Sequence, residues 1–207
     1  MEIVVYGIIN SITLSLISLG FTLVYSISRV PNFAHGALYV TSGYLTWIFL
    51  NKCTGMPYVL AIILGIGITA VVGALIYQFI LVRVRGMEIS EIIATYAIGL
   101  AILEGLRWGG LRGGTFSLPA FFAGSVDILG VSVDYQRLII VGAGILTFIL
   151  LYLFTRYTKM GLAFRGIAQD ERAAMMLGIN SDVTAVLSLG IGSALAGLAA
   201  ILLLPLG

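Results

Sequence analysis

The sequence predicts an all-α protein, a polytopic bundle of about six transmembrane helices with the N-terminus outside. Of its 207 residues, 60% are apolar and only 10% are charged, whereas soluble domains average about 45–50% apolar and about 25% charged residues. The apolar residues form stretches close to the ~20 residues that cross a ~30 Å hydrocarbon core. The 26 glycines follow no three-residue repeat, so they indicate close helix packing rather than collagen. These observations exclude a soluble domain and a disordered chain.

The charged and metal-binding residue types exclude further classes of function. The net charge is +2, from 11 basic and 9 acidic residues, and no basic run is longer than the pair Arg83 and Arg85. A nucleic-acid-binding surface is therefore excluded. Cys53 and His35 are the only cysteine and histidine, so we expect neither an internal disulfide nor a cysteine or multi-histidine metal site. We expect no metal and no cofactor.

Five apolar stretches are long enough, or nearly long enough, to span the membrane. In chain order they are 3–28, 58–82, 89–108, 138–154 and 183–206. The first two carry no charge in their interiors, and the third carries Glu91 and Glu104. At three-residue spacing, Glu104 is expected to pair with Arg107 near the outer interface. Small residues four apart in the last stretch, such as Gly192 and Ala196, predict closely packed backbones.

A sixth stretch, 36–50, is shorter and would give only about 22 Å of helix. It follows Pro31, Asn32, His35 and Gly36, and a proline disfavours helix at the residue before it. One interpretation is a loop followed by a short, tilted helix. The other is a broken or re-entrant segment in which these four residues line a polar pathway. The sequence does not decide between them.

The basic residues near the span ends predict the orientation of the bundle. Seven of the eleven would face the cytoplasm, namely Arg29, Arg83, Arg85, Arg156, Lys159, Arg165 and Arg172. Four would face outward, namely Lys52, Arg107, Arg112 and Arg137. The bias is moderate, and a tight loop that contains Arg83 and Arg85 is its strongest part.

Two long loops join the spans. The loop 109–137 is expected outside, and its residues 126–133 predict a small hairpin about Gly130. Asp127 and Asp134 in this loop are expected to make turns or to contact a docking protein. The loop 156–182 is expected to be cytoplasmic.

The cytoplasmic loop contains a predicted helix. Strong helix formers occupy 168–177, and Gly178 is well placed to end the helix. The following span would be capped by Asn180, Ser181 or Asp182.

The predicted helix 168–177 and the residues before it are amphipathic. One side would carry the apolar residues Ile167, Ala174 and Leu177. A second stripe would carry Arg165, Gln169 and Arg172. The helical pattern alone favours a helix on the membrane surface, whose basic residues meet lipid phosphates. The alternative is a docking element for a cytoplasmic partner.

Several motifs of this chain resemble one family of transporters. Gly161-x-Ala163-x-Arg165-x-x-Ala168, followed by Ala173 and Gly178-Ile179-Asn180, is similar to the cytoplasmic coupling loop of branched-chain amino acid ABC transporter permeases. Leu19-Gly20-Phe21-Thr22-Leu23-Val24-Tyr25 and Asn32-Phe33-Ala34-His35-Gly36 resemble the start of the same family. Leu129-Gly130-Val131 ahead of Tyr135-Gln136-Arg137 resembles its outer loop, less specifically. The motifs occur in the family's order and span most of the chain.

The resemblance implies a function and a set of partners. The chain would be a permease subunit that forms the translocation pathway for branched-chain amino acids in a prokaryotic plasma or inner membrane, and not an enzyme. Its partners would be ATP-binding cassette subunits, a second permease subunit (identical or different), an extracytoplasmic solute-binding protein and membrane lipid. Family members continue beyond the position of Gly207, so residues 1–207 are expected to be one transmembrane permease domain, truncated at its C-terminus.

The resemblance also implies which residues couple transport to ATP hydrolysis. Residues 156–182 would be the coupling loop, and its helix would sit in a groove of an ATP-binding subunit. The matched coupling residues are Gly161, Arg165, Asp170, Arg172, Ala173, Ala174 and Gly178. Small side chains would allow close approach, and the charged ones would set the register.

Three other functions compete with this interpretation. A urea or short-amide permease would share the same motifs. A passive channel or facilitator would need neither the coupling helix nor an ATPase. An integral-membrane enzyme is opposed by the lack of an intramembrane acid pair or a serine–histidine arrangement. The chain also lacks the glycine-rich phosphate loop of an ATPase, so energy for transport would have to come from a partner.

Overall fold

The computed structural model describes residues 2–52, 55–110, 116–122, 124–128 and 130–206. Cys53, Arg112 and Leu129 lie outside the described residues. The helices are α1 (Glu2–Ser28), α2 (His35–Lys52), α3 (Tyr58–Ile76), a π-helical turn (Tyr77–Leu81), α4 (Val82–Val84), α5 (Glu88–Trp108), α6 (Tyr135–Tyr157), α7 (Lys159–Gln169), α8 (Glu171–Met176), α9 (Ser181–Leu203) and a final 3₁₀ turn (Leu204–Leu206). The strands are β1 (Ser125–Ile128) and β2 (Val131–Asp134).

Among the described residues, five helices are long and apolar enough to cross a membrane. They are α1, α3 with its continuation to Val84, α5, α6 and α9. Each coincides with one of the five predicted stretches, so the prediction of an all-α polytopic bundle is confirmed. The predicted sixth stretch forms α2, which is shorter and more polar. Its 18 residues correspond to about 27 Å of helix.

The centre of the bundle is α9, which packs against α3, α1 and α2. In α9, 56% of the apolar stretch is buried, against 28% or less in the other four spans. Small residues make this packing possible, as predicted. A Cβ on Gly20 of α1 would lie 2.7 Å from the carbonyl oxygen of Gly192, and a Cβ on Gly197 would lie 2.6 Å from Ser42 Oγ of α2. The backbones of α1 and α2 therefore approach α9 more closely than larger residues would permit.

The predicted hairpin is confirmed at one end of the bundle. β1 and β2 pair antiparallel, with Ser125 opposite Asp134, and Gly130 in the turn has φ +79°. The hairpin packs on α1, where the hydroxyl of Tyr6 donates to the carbonyl of Ser132 (2.7 Å). Beside it, the buried Gln136 donates to the carbonyl of Leu202 (2.9 Å). This bond joins the start of α6 to the end of α9.

The prediction of one helix over 168–177 is wrong. The chain forms two helices, α7 and α8, separated by Asp170 in an extended conformation (φ −152°, ψ 108°). The carboxylate of Asp170 accepts hydrogen bonds from the backbone N–H of Arg172 (2.9 Å) and Ala173 (3.1 Å). Aspartate is favoured as an N-cap and unfavourable inside a helix, so the chain breaks here. The predicted stripe of Arg165, Gln169 and Arg172 does not lie on one helix.

Candidate functional site

The segment between α6 and α9, residues 158–180, forms the candidate site, which we call the connecting segment. It begins with a sharp turn at Thr158, whose hydroxyl donates to the carbonyl of Phe154 (2.6 Å) and accepts from Gly161 N–H (2.9 Å). A Cβ on Gly161 would lie 2.7 Å from the carbonyl oxygen of Thr155. Only glycine therefore fits where α7 turns back against the end of α6.

α7 is anchored on the bundle by buried apolar side chains. Phe164 and Ile167 are 3% and 1% exposed, and they join Ala174 of α8 in a core cluster with residues of α1 and α9. The ring of Phe164 meets that of Phe154 edge-on, with 5.7 Å between the centroids. The anchored face of α7 thus connects the segment directly to the transmembrane helices.

α8 presents mainly exposed side chains. Ala174 is its buried residue, while Met176 and Leu177 are 88% and 84% exposed. Met175 is half-exposed and Ala173 is exposed. An apolar patch outside the spans is characteristic of a surface that contacts another molecule.

A turn after α8 returns the chain to α9. Gly178 has φ +85°, and its N–H donates to the carbonyl of Met175 (2.9 Å). Ile179 N–H donates to the carbonyl of Ala174 (3.1 Å). This is a glycine-terminated helix end, as predicted. The side chain of Asn180 accepts from Val183 N–H (3.1 Å), so Asn180 is the N-cap among the three residues predicted for that position.

An open groove lies between α7 and α8. Its volume is about 590 Å³. Leu162 and Gly166 of α7 form one wall, and Ala173, Leu177 and Ile179 form the other. The groove is mostly apolar, and Gln169 and Asp170 are the polar residues that line it.

Two arginines from distant parts of the chain contact the connecting segment. The guanidinium of Arg85, which follows α4, donates to Glu171 of α8 and to Asp182 and Ser181 of α9. Burial lowers the pKa of Arg85, but the neighbouring Tyr77, Glu171 and Asp182 raise it by more, so its net pKa lies above the ordinary value. Arg85 is therefore charged at every physiological pH.

Arg29, the residue after α1, contacts the other side of the break. Its guanidinium donates to the carbonyls of Ala168 and Gln169 (3.5 Å for Gln169), which are the last residues of α7. Helix C-termini carry partial negative charge on such carbonyls. The positive side chain of Arg29 thus stabilises the end of α7.

Comparison with known proteins identifies the family. Residues 3–206 match the family model described as branched-chain amino acid transport system, permease component. The chain belongs to this permease family. The LivH permease protein of the high-affinity branched-chain amino acid transport system of Salmonella typhimurium is 30% identical over 210 residues, 95% of this chain and 68% of LivH. BraD of Pseudomonas aeruginosa is 29% identical over 213 residues, 96% of this chain and 69% of BraD. No solved structure matches the chain significantly.

The permease brings the predicted coupling residues together, but in different roles. Gly161, Asp170 and Gly178 shape the backbone at three turns, and Ala174 is buried. Arg165, Arg172 and Ala173 are exposed, as are Asp170 and Gly178. The guanidinium of Arg165 lies 3.5 Å from the carbonyl of Arg156 at the end of α6.

The four pathway candidates lie at the break between α1 and α2. Asn32 is buried, and its side-chain oxygen accepts from Ala34 N–H (3.0 Å). His35 begins α2 and is also buried, with Nε2 3.4 Å from the carbonyl of Ile17. Pro31 is half-buried and Gly36 is exposed. The break precedes α2, which is itself continuous, and a role in the pathway stays a prediction.

Sequence reasoning missed the roles of Arg29 and Arg85. Both were interpreted only as orientation signals, because their partners lie 86 or more residues away in the chain. The predicted pair of Glu104 and Arg107 is confirmed, with 2.8 Å between Oε1 and Nη1.

Proposed function

We propose that this chain is the membrane-spanning permease subunit of an ABC importer for branched-chain amino acids in the cell membrane. Its family and its relatives, named as permeases of high-affinity branched-chain amino acid transport systems, support this function. The observation that carries the proposal is the way the connecting segment is held and exposed. It is anchored on the bundle at Phe164 and Ile167 and presents exposed apolar side chains on α8.

In this proposal α8 docks on an ATP-binding subunit. The exposed side chains of Met175, Met176 and Leu177 lose contact with water on docking, which favours association at roughly 25 cal/mol per Å² of buried apolar surface. The small side chain of Ala173 permits close approach. Arg172 beside it adds a positive charge that orients an acidic partner surface. The chain lacks a phosphate-binding loop of its own, so the ATP-binding subunits supply the energy.

Movement of a docked α8 reaches the membrane through the buried face of the connecting segment. Ala174, Phe164 and Ile167 belong to one cluster with Leu23 of α1 and Leu189 of α9. Packed interiors transmit displacement because they hold few voids. A shift of the docked segment would therefore displace α1 and α9.

The remaining surfaces support the other proposed partners. Outside α9, 28% or less of each span is buried in the single chain, which leaves surface for lipid and for a second permease subunit. The spans offer few fixed charges for an amino acid zwitterion. Selectivity would therefore reside largely in an extracytoplasmic solute-binding protein that docks near the hairpin.

The decisive experiment replaces Ala173 with tryptophan in the assembled importer. A bulky side chain on the exposed face of α8 prevents close approach, so Ala173→Trp should lose the ATP-binding subunits on copurification and lose uptake. Thermal unfolding of the isolated permease in detergent should be unchanged. Ala120→Trp, an exposed alanine at the hairpin end of the bundle, is the matched control and should keep the ATP-binding subunits. Retained subunits and unchanged uptake in Ala173→Trp would favour a passive channel.

A further inference from the structure

The break at Asp170 lies between two arginine contacts that come from different membrane helices. Arg29 extends from the end of α1 to the last carbonyls of α7. Arg85 extends from the end of α4 to Glu171, the first residue of α8. A cavity of about 230 Å³ separates them, lined by both arginines and by Glu171. The connecting segment is therefore held on both sides of its break.

Arg29 adopts a backbone conformation that side-chain-bearing residues rarely use. Its φ is +59°, and among the described residues no other non-glycine residue has a positive φ. The left-handed region is sterically unfavourable for L-residues. The conformation ends α1 and directs the guanidinium to Ala168 and Gln169. Loss of this contact would leave the strained backbone without compensation.

Arg85 forms the more extensive contact. The planar guanidinium bridges the carboxylates of Glu171 and Asp182, a geometry that lysine cannot reproduce. The side chain of Arg85 is 29% exposed, so it is more protected than an ordinary surface ion pair. Ser181 adds a hydroxyl that donates to Glu171 (2.6 Å). The hydroxyl of Tyr77, in the π-helical turn after α3, donates to Asp182 (3.4 Å), so α3 shares the network.

We propose that Arg29 and Arg85 are positioning residues that transmit displacement of the connecting segment to α1 and to α3, respectively. The inference rests on the proposed docking of α8 to an ATP-binding subunit. Since α8 is only six residues long and Ala174 is its buried residue, it could otherwise tilt about Asp170 without moving α3. The Arg85 network prevents this independent tilt. Arg29 does the same for the end of α7.

The test measures coupling in the complete importer, with full-length permease, ATP-binding subunits and binding protein in proteoliposomes. The readout is the amount of leucine taken up per ATP hydrolysed. Arg85→Met and Arg29→Met should lower this ratio by about tenfold, while the ATP-binding subunits still copurify. Arg83→Met is the matched control and should keep the ratio of the unmodified importer. The guanidinium of Arg83 donates to the carbonyl of Phe79 in its own helical segment, and within the part of the chain that the structure describes it makes no hydrogen bond to the connecting segment.

A conservative variant keeps the test decisive if the Arg85→Met permease fails to fold. Arg85→Lys retains the charge but cannot span both carboxylates, so its ratio should lie between those of the methionine variant and the unmodified importer. A ratio in Arg85→Lys equal to that of the unmodified importer would overturn the bridging role. Loss of the ATP-binding subunits in Arg85→Met would also overturn it, because the residue would then serve docking. The docking of α8 is tested by Ala173→Trp, so the docking proposal and the positioning proposal can fail separately.

Discussion

Gly161 shows how one residue type determines the geometry of the connecting segment. The turn from α6 into α7 places its α-carbon against Thr155, and the hydroxyl of Thr158 holds the turn from both sides. Gly178 serves a different purpose, since its φ of +85° is a conformation that side chains disfavour. Both glycines were predicted as coupling residues, and the structure gives each a backbone role.

A Gly161→Ala substitution should destabilise the permease. The added methyl group would overlap the backbone of Thr155, and overpacking of this kind costs about 1–3 kcal/mol. The measurement is the free energy of unfolding in detergent. Gly142→Ala is the control, because a Cβ at Gly142 in α6 meets no atom within 4 Å. It should raise stability by roughly 0.5–1 kcal/mol. Equal effects at the two positions would contradict the close approach at Gly161.

At the scale of elements, the long spans and the turn at Gly178 were predictable, and the break at Asp170 was not. Apolar stretches of ~20 residues have few alternatives to a membrane helix, so the positions and order of the five long spans could be determined from the sequence. The break at Asp170 could not be predicted, because strong helix formers surround it. Whether the helix continues or breaks there is decided by the N-cap of α8. The contacts of Arg29 and Arg85 join residues far apart in the chain, and no local pattern records such pairs.

Removal of the cap at Asp170 should weaken α8 without affecting the bundle. In Asp170→Ala, the N–H groups of Arg172 and Ala173 lose their acceptor, which costs about 1 kcal/mol in helix stability. We expect less ATP-binding subunit to copurify with this variant. Asp170→Asn, which still accepts at the N-cap, should behave like the unmodified permease. Equal loss in both variants would indicate that the negative charge, rather than the cap, is needed.

For the whole molecule, the apolar exterior and the central α9 are what a multi-pass membrane protein requires. The membrane class follows from composition, because 60% apolar residues cannot be covered by the 10% that are charged, and the all-α bundle follows from the length of the apolar stretches. That residues 1–207 form one domain stays a prediction. The bundle does not specify the solute class, because the described spans carry no cluster of charged side chains that would bind a particular substrate.

The solute is therefore tested with the complete complex. Vesicles that contain the permeases, the ATP-binding subunits and the binding protein should accumulate leucine in the presence of ATP. Urea should neither be accumulated nor reduce leucine uptake at equal concentration. Vesicles without ATP serve as the control for leakage. Accumulation of urea without leucine would assign the chain to the short-amide importers instead.

Both termini of α9 are fixed to other elements. At one end, Asp182 is bound to Arg85, and at the other, the carbonyl of Leu202 is bound to Gln136. The whole of α9, 23 residues from Ser181 to Leu203, is an uninterrupted helix of about 35 Å. A helix that is held at both ends in this way moves as one rigid element. If closure of the proposed ATP-binding subunits rotates one end of α9, the unbroken helix would carry that rotation to its other end, on the opposite side of the bilayer.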